Sequence, residues 1–286
     1  MSVVEWANRE RLIEYHQNDE SQKTIDTFQK LLEGQSTPDA SVRTLVSIFG
    51  DHGPDGIWGY VCSAARALGN DEEVAERLVH LLDGIAETPP DLFKYPHVRE
   101  WNWMPMRDWG WVFWEHGIDF REDEFGEEQS YEGEWIDRAA PLLNATSFAA
   151  TYLDRGTSDG ARSMPSCIER LLSEGLEATI EQQQRRTYYL PPAAVCMKLA
   201  GGKIYQLCKD DHDRKDSRRE YEDRLWDKGI GFSLERWAFW KRRFQDVAEE
   251  EKVDDNLQKI AVAAAEDMEK VEKATRSISG LISGLR

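Results

Sequence analysis

Residues 233–248 read SLERWAFWKRRFQDVA, and this stretch combines a helix start with a broad apolar stripe. Ser233 belongs to the residue types that cap helix N-termini, and Glu235 follows where a negative charge favours the helix dipole. Apolar residues then recur every three or four positions, at Trp237, Trp240, Phe244 and Val247. This spacing predicts an amphipathic helix whose buried face carries two tryptophans.

Basic side chains flank this stripe at Arg236, Lys241, Arg242 and Arg243. Their long stems and cationic heads allow them to cover indole faces or to pair with carboxylates. We interpret them as support for core packing through cation–π contacts. The alternative is a basic face that binds an anion or a protein partner.

The N-terminal third shows helix punctuation of the same kind. Apolar residues at helical spacing fill four segments, 21–34, 37–50, 58–69 and 70–85, the last opened by a capping-box pattern at Asn70 and Glu73. Because the connections are short, neighbouring helices must pack antiparallel. No stretch shows convincing period-two alternation. The predicted fold is therefore all-α, built from antiparallel helical hairpins, with a solenoid-like stacking left open.

Prolines mark the expected helix boundaries in the second half of the chain. Proline removes a backbone donor and is tolerated best in a first helical turn. We therefore expect Pro141 to kink or restart a helix, and another helix to begin near Ser163-Met164-Pro165. Pro191-Pro192 is expected to open the next one.

The last stretch has apolar or small residues that alternate four and three positions apart, at Leu257, Ala261, Ala264, Met268, Val271, Thr275, Ile278 and Ile282. This pattern predicts a long C-terminal helix over residues 254–284 that packs on the body of the protein, the alternative being a coiled-coil dimer. We predict that residues 1–286 form a single helical domain. An acidic loop insertion is expected at residues 117–134.

The charge of the chain is strongly acidic and unevenly distributed. The 286 residues include 54 acidic and 36 basic side chains, for a net charge of −18. The stretch from Glu115 to Asp137 alone has a net charge of −9, whereas Arg185 to Arg243 has a net charge of +6. An acidic protein repels phosphate backbones and anionic headgroups, so we expect no nucleic-acid partner.

The sequence also predicts a cytoplasmic protein without a membrane partner. Its N-terminus lacks the apolar core of a signal peptide, and no apolar run is long enough to span a bilayer. The four cysteines are scattered and form no CxxC pair, so free thiols are expected in a reducing compartment.

A family resemblance rests mainly on the C-terminal third. Its residues are Leu225-Trp226, Gly229, the run from Gly231 and Phe232 through Phe244, and an alanine-rich helix that contains Met268-Glu269. This segment resembles a family of fungal proteins catalogued as domain of unknown function 3632. The resemblance implies a fungal, intracellular and mostly helical protein. It supplies no reaction and no catalytic residue.

Tryptophans concentrate in one segment next to the acidic loop. Five of the eleven lie within fourteen residues, at Trp101, Trp103, Trp109, Trp111 and Trp114, and Glu115 and His116 follow directly. Indoles favour places where apolar and wet regions meet, which suits a ligand pocket closed by a polar lid. Histidine titrates near neutral pH, so His116 and Glu115 would be the nearest proton-transfer groups. The alternative is that these tryptophans fill the core between helical layers.

Signatures of known chemistry are weak or absent in the sequence. The six histidines never occur in HxxxH or HExxH spacing, and Asp210-Asp211-His212-Asp213 lies among basic residues, as expected for a solvated turn. There is no phosphate-binding loop of the GxxxxGK[ST] type and no GxSxG nucleophile motif. We therefore predict no metal site and no cofactor.

Two functional classes fit these observations. The first is a non-enzymatic interaction protein that binds an unidentified protein partner, as the segmented charge and the long C-terminal helix suggest. The second is a cofactor-independent enzyme or binding protein for a hydrophobic or aromatic small molecule. In that case the tryptophan segment would form the pocket, and the setting would be fungal specialised metabolism.

Overall fold

The computed structural model describes residues 1–49, 55–88, 109–118, 131–179, 183–215, 224–251 and 253–283. Within these ranges the protein has eleven α-helices and no strand, which confirms the all-α prediction. The helices are α1 (Val3–Leu12), α2 (Asp19–Leu32), α3 (Pro38–Phe49), α4 (Asp55–Leu68), α5 (Glu72–Ala86), α6 (Trp109–Phe113), α7 (Tyr131–Arg155), α8 (Asp159–Leu176), α9 (Gln183–Lys209), α10 (Leu234–Glu249) and α11 (Asp255–Ser283). A 3₁₀ turn at Glu14–His16 follows α1, and a π-helical turn at Trp114–Ile118 follows α6.

The chain divides into two compact units. Unit 1 comprises Met1–Cys167 and unit 2 comprises Ile168–Arg286, so the boundary falls inside α8. The prediction of a single domain over residues 1–286 stays a prediction. Most of the predicted acidic loop, residues 119–130, lies outside the described ranges, while its last residues, 131–134, belong to α7.

Helix pairing in unit 1 follows the order of the chain at first. Helix α1 packs on α2, and α2 packs on α3. Helices α3 and α5 then pack together, and α7 lies against α4 and α5. The predicted start of α5 is wrong by one residue, because the N-cap is Asp71 instead of Asn70. The Asp71 carboxylate accepts hydrogen bonds from the backbone N–H groups of Glu73 and Val74.

A buried polar contact attaches α1 to α4 in unit 1. The indole Nε1 of Trp6 donates to Ser63 Oγ at 3.1 Å, and Ser63 Oγ donates to Glu10 Oε1 at 2.5 Å. All three side chains are buried. Since a buried carboxylate without partners is costly, Glu10 and Ser63 fix the way in which α1 sits on α4.

The long C-terminal helix α11 packs against α9 and α10 within unit 2. Its seam residues Ala261, Ala264 and Met268 are buried, and Val271 is half-buried. This arrangement agrees with packing on the body of the protein. None of the helices in the described ranges is long and apolar enough to cross a membrane.

The helix starts predicted near Ser163 and at Pro191-Pro192 are wrong, and α7 does not restart at Pro141; the alternative of a kink at Pro141 stays a prediction. Pro141, Pro165 and Pro191-Pro192 all lie inside helices, which begin eight or more residues earlier for α7 and α9 and six residues earlier for α8. A proline removes only its own donor, and flanking turns keep theirs. Buried residues on both sides, such as Met164 before Pro165 and Ile168 after it, supply the free energy that holds the helix together.

Candidate functional site

A polar face on the C-terminal half of α8 lies in the core of unit 2. Glu169, Ser173 and Glu177 are four residues apart, so their side chains fall on one side of the helix and its end. Glu177 is fully buried, and Ser173 Oγ donates to Glu177 Oε2 at 2.5 Å. Buried carboxylates require cations or several donors nearby. Helix α10, which contains most of the 233–248 stretch quoted at the outset, provides such partners.

Arg236 is the centre of the site. Its side chain is only 1 % exposed, its Nε donates to Glu177 Oε1 at 2.7 Å, and its NH1 donates to Glu169 Oε1. The guanidinium carbon lies 5.0 Å from the ring centroid of Trp240, a cation–π distance. Both the charge and one flat face of the Arg236 guanidinium therefore have partners inside the protein.

A second arginine extends this ionic network. Arg224 NH1 donates to Ser173 Oγ at 2.7 Å, and its NH2 donates to Glu174 Oε1 at 2.6 Å. Glu174 is buried, and the neighbouring backbone N–H of Leu225 donates to the carbonyl of Glu177 at 2.9 Å. We name Glu169, Ser173, Glu174, Glu177, Arg224 and Arg236 the ionic core.

The indoles of α10 are held by carboxylates as well. Trp240 Nε1 donates to Glu177 Oε1 at 3.0 Å, and Trp237 Nε1 donates to Glu272 Oε1 at 2.9 Å. Lys241 Nζ also donates to both oxygens of Glu272, at 2.8 and 2.9 Å. Burial opposes ionisation of Glu272, but the hydrogen bonds from Lys241 and Trp237 outweigh it and lower the pKa of this carboxyl.

Gly231 brings the loop before α10 close to the ionic core. Its φ is +82°, and a Cβ at this position would lie 2.4 Å from the backbone of Asp213, so any other residue would be strained and would clash. Its N–H donates to Glu169 Oε1 at 3.2 Å, and its carbonyl accepts from Arg236 NH1 at 2.7 Å. The glycine thus lets the backbone complete the coordination of both charges.

The chemistry of the ionic core is that of a structural network of ion pairs and hydrogen bonds. Three carboxylates and two guanidinium groups neutralise one another, apart from one negative charge if all are ionised. Their donors and acceptors point at each other, across 50 to 67 residues of sequence. Buried ion pairs add little net stability, but they disfavour arrangements that separate the charges. We therefore assign the ionic core to holding α8, residues 224–233 and α10 in one arrangement.

The structure places the predicted motif residues as follows. Ser233 is the N-cap of α10 and accepts from the backbone N–H of Arg236 at 3.1 Å. Glu235 is exposed in the first turn, and the apolar members of the motif are buried: Phe232, Trp237, Trp240 and Phe244. For Arg236 this agrees with core packing, because its guanidinium faces internal partners.

The predicted pocket residues are only partly within the described ranges. Trp101 and Trp103 lie outside them, and for Trp111 only the backbone, in α6, is described. Trp109 and Trp114 are buried, at 2 and 3 % exposure, whereas Glu115 and His116 are exposed. The carbonyl of His116 accepts from Arg66 NH1 at 2.9 Å. Whether the segment forms a ligand pocket stays a prediction.

Trp109 has a polar atom that its surroundings leave unused. Its ring centroid lies 4.8 Å from that of Trp58 and 5.6 Å from that of Phe113, so the ring packs among aromatic side chains. The buried Nε1 has no hydrogen-bond partner among the described residues. An unsatisfied buried donor costs about 1–3 kcal/mol.

Sequence reasoning missed the α8 members of the ionic core. Glu169, Glu174 and Glu177 interrupt a run of apolar residues that includes Ile168, Leu171 and Leu172. Carboxylates beside an otherwise buried helix face are a signal that a cation must be supplied from elsewhere. No grouping of three or more metal-ligand side chains suited to an ion occurs in the described parts of the chain.

Comparison with known proteins agrees with the family resemblance. The family model described as Protein of unknown function (DUF3632) matches residues 58–244, which is more than half of the chain and runs from α4 to α10. Neither a curated protein nor a solved structure matches the chain. The chain therefore belongs to the DUF3632 family.

Proposed function

We propose that this protein is a non-enzymatic interaction module whose acidic unit 1 binds a basic protein partner. One observation carries the proposal: residues 1–167 contain 31 acidic and 14 basic side chains, whereas residues 168–286 contain 23 and 22. Unit 1 thus has a net charge of −17 and unit 2 a net charge of −1. The acidity of the whole protein belongs almost entirely to one unit.

Several charges of unit 2 are neutralised inside it by the ionic core. Its two arginines and three glutamates are paired inside the unit, so they add little to the outer field. In unit 1 some ion pairs also form, for example Arg155 with Glu72 and Arg77 with Glu73. With 14 basic residues for 31 acidic ones, however, unit 1 keeps a net charge of −17 whatever ion pairs form within it. Such a field attracts and orients a basic surface.

The family resemblance and the composition support a cellular location and a class of partner. A protein of this kind would act in the cytoplasm of a fungal cell. The electrostatic field disfavours nucleic acid and anionic membrane as partners, because both carry the same sign of charge. A partner rich in lysine and arginine fits instead.

Two triple variants test the proposal with equal changes in net charge. The first is Glu122→Gln, Glu124→Gln and Glu127→Gln in the acidic stretch of unit 1. The matched control is Glu249→Gln, Glu251→Gln and Glu266→Gln, three exposed residues of unit 2. A solvent-exposed ion pair between two proteins contributes up to about 1 kcal/mol. We therefore expect the first variant to weaken partner binding about tenfold and the control to leave it unchanged.

The measurement has two stages. Affinity capture from a cell extract at low and high salt identifies proteins whose stoichiometric recovery falls with ionic strength. Isothermal titration with the purified protein then compares the wild type with both triple variants. Equal affinities for all three, or recovery of no salt-sensitive protein, would exclude the proposal.

A second candidate function is supported by Trp109. A buried indole N–H without an acceptor among the described residues, beside the half-buried ring of Trp58, offers a donor to an aromatic ligand that carries a carbonyl or hydroxyl group. The protein would then be a binding protein or cofactor-independent enzyme for an aromatic small molecule of specialised metabolism. Trp109→Phe keeps a ring but removes the donor.

Ligand-observed NMR with a panel of neutral aromatic carbonyl compounds tests this candidate. Binding by the wild type that is lost in Trp109→Phe, but kept in the control Trp226→Phe of unit 2, would support it. The indole of Trp226 already donates to the carbonyl of Gly229 at 3.0 Å. No binding to the wild type, or equal binding to both variants, would count against it.

A further inference from the structure

Helix α1 presents an apolar stripe to solvent. Val4, Asn8 and Leu12 are four residues apart and share the face opposite to the buried Trp6 and Ala7. Leu12 is 80 % exposed and Val4 is 47 % exposed. Met1 and Tyr15, seven residues to either side of Asn8, are also exposed. Most apolar residues of a three-turn helix are expected on its packed side, so this outer stripe requires an explanation.

The stripe is complementary to itself. If two α1 helices lie antiparallel with a two-fold axis at Asn8, Val4 of each copy faces Leu12 of the other. Both positions are then covered by an apolar side chain, and Asn8 meets its own symmetry mate, which an amide can satisfy with reciprocal hydrogen bonds.

The charges beside the stripe are complementary in the same arrangement. Glu5 and Arg9 both lie on one flank of it, one turn apart. In an antiparallel helix pair each flank faces its own counterpart. Glu5 of one copy therefore lies near Arg9 of the other, and the contact occurs twice. Arg9 is half exposed, and its ion pair with Glu10 is long, at 3.7 Å between NH2 and Oε1, so the outer part of the guanidinium remains accessible to a second copy.

We propose that this stripe on α1 binds a second copy of the chain and forms a weak antiparallel dimer. The face of one short helix is smaller than the ~800 Å² per partner of a standard interface, so we expect dissociation constants in the micromolar to millimolar range. The acidic copies also repel each other, and salt screens this repulsion. Self-association should therefore strengthen with salt, whereas binding of a basic partner to unit 1 should weaken.

Sedimentation velocity of the full chain, from about 10 μM to about 1 mM, tests the proposal. We expect the wild type to shift from monomer towards dimer, more strongly at moderate salt. Leu12→Glu should raise the dissociation constant at least about tenfold, because it places a charge in the apolar contact. The control Leu199→Glu changes an exposed leucine of α9 in the same way and should behave as the wild type.

A charge exchange locates the contact. Arg9→Glu should weaken the dimer, since Glu5 of each copy would then face a second carboxylate in the other copy. Combining Glu5→Arg with Arg9→Glu should restore the dimer. Circular dichroism checks the helix content, because Glu5 also takes part in the capping box with Ser2. A monomer at every concentration, a dimer unaffected by Leu12→Glu, or binding of α1 to neutral lipid vesicles without dimerisation would overturn the proposal.

Discussion

The two tryptophan-bearing regions of this protein bury their indoles in different ways. In α10 of unit 2 the indole N–H groups of Trp237 and Trp240 donate to the carboxylates of Glu272 and Glu177. In α6 of unit 1 the ring of Trp109 is equally buried, but its N–H has no acceptor among the described residues. Large aromatic side chains alone thus do not define a site. What distinguishes the two regions is whether the indole N–H has a hydrogen-bond acceptor.

The largest expected effect is the loss of stability when the ionic core around α10 is disrupted. Arg236→Ala removes the cation that contacts both Glu169 and the fully buried Glu177. Removing one partner of a buried ion pair costs about 3–5 kcal/mol, so the free energy of unfolding should fall by that amount. Urea denaturation followed by circular dichroism measures this change. The exposed neighbour gives the control, because Arg242→Ala should cost less than about 0.5 kcal/mol. Equal losses in the two variants would refute the role of the ionic core.

An intermediate effect compares the two regions directly. Trp240→Phe and Trp109→Phe each replace an indole by a smaller ring, but only the first removes a hydrogen bond to a carboxylate. Such a bond contributes about 1.5–3 kcal/mol, whereas loss of the unused donor at Trp109 relieves a desolvation cost and offsets the lost packing. We expect Trp240→Phe to be less stable than Trp109→Phe by about 2 kcal/mol in the same denaturation assay. Equal stabilities would contradict the proposed difference between the two indoles.

The smallest expected effect is the pH dependence of stability that Glu272, the hydrogen-bond acceptor of Trp237, contributes. The pKa of Glu272 is lowered in the folded protein, so its ionised form stabilises the fold above the ordinary value of 4.5. This contribution is lost as the pH falls through the lower folded value. Glu272→Gln should therefore reduce stability at neutral pH, and the difference from the wild type should shrink as the pH is lowered below about 4.5. Thermal unfolding from pH 7 to about pH 3 follows the difference. A constant difference would show that the charge of Glu272 does not matter.

Local patterns predicted local structure well. Ser233 as the cap of α10 and the stripe Trp237, Trp240 and Phe244 depend on neighbours within a few residues, and each was found as expected. The partners of Arg236 could not be predicted in the same way, since pairing over 59 residues depends on how helices pack. The tendency of the prolines to start a new helix was overestimated for a related reason. At Pro165 the local preference for a helix start was weaker than the burial of the residues around it.

The long separations inside the ionic core also set an order of events when the protein is made. Synthesis adds Glu169 and Glu177 to the chain 67 and 59 residues before Arg236. Until Arg236 leaves the ribosome, the cation that contacts both carboxylates in the folded protein is missing, and their burial is correspondingly costly. Unit 2 therefore cannot reach its native packing during the synthesis of α8 and α9. A ribosome stalled shortly after residue 236 should hold a protease-sensitive unit 2, which becomes resistant only when α10 and α11 have emerged.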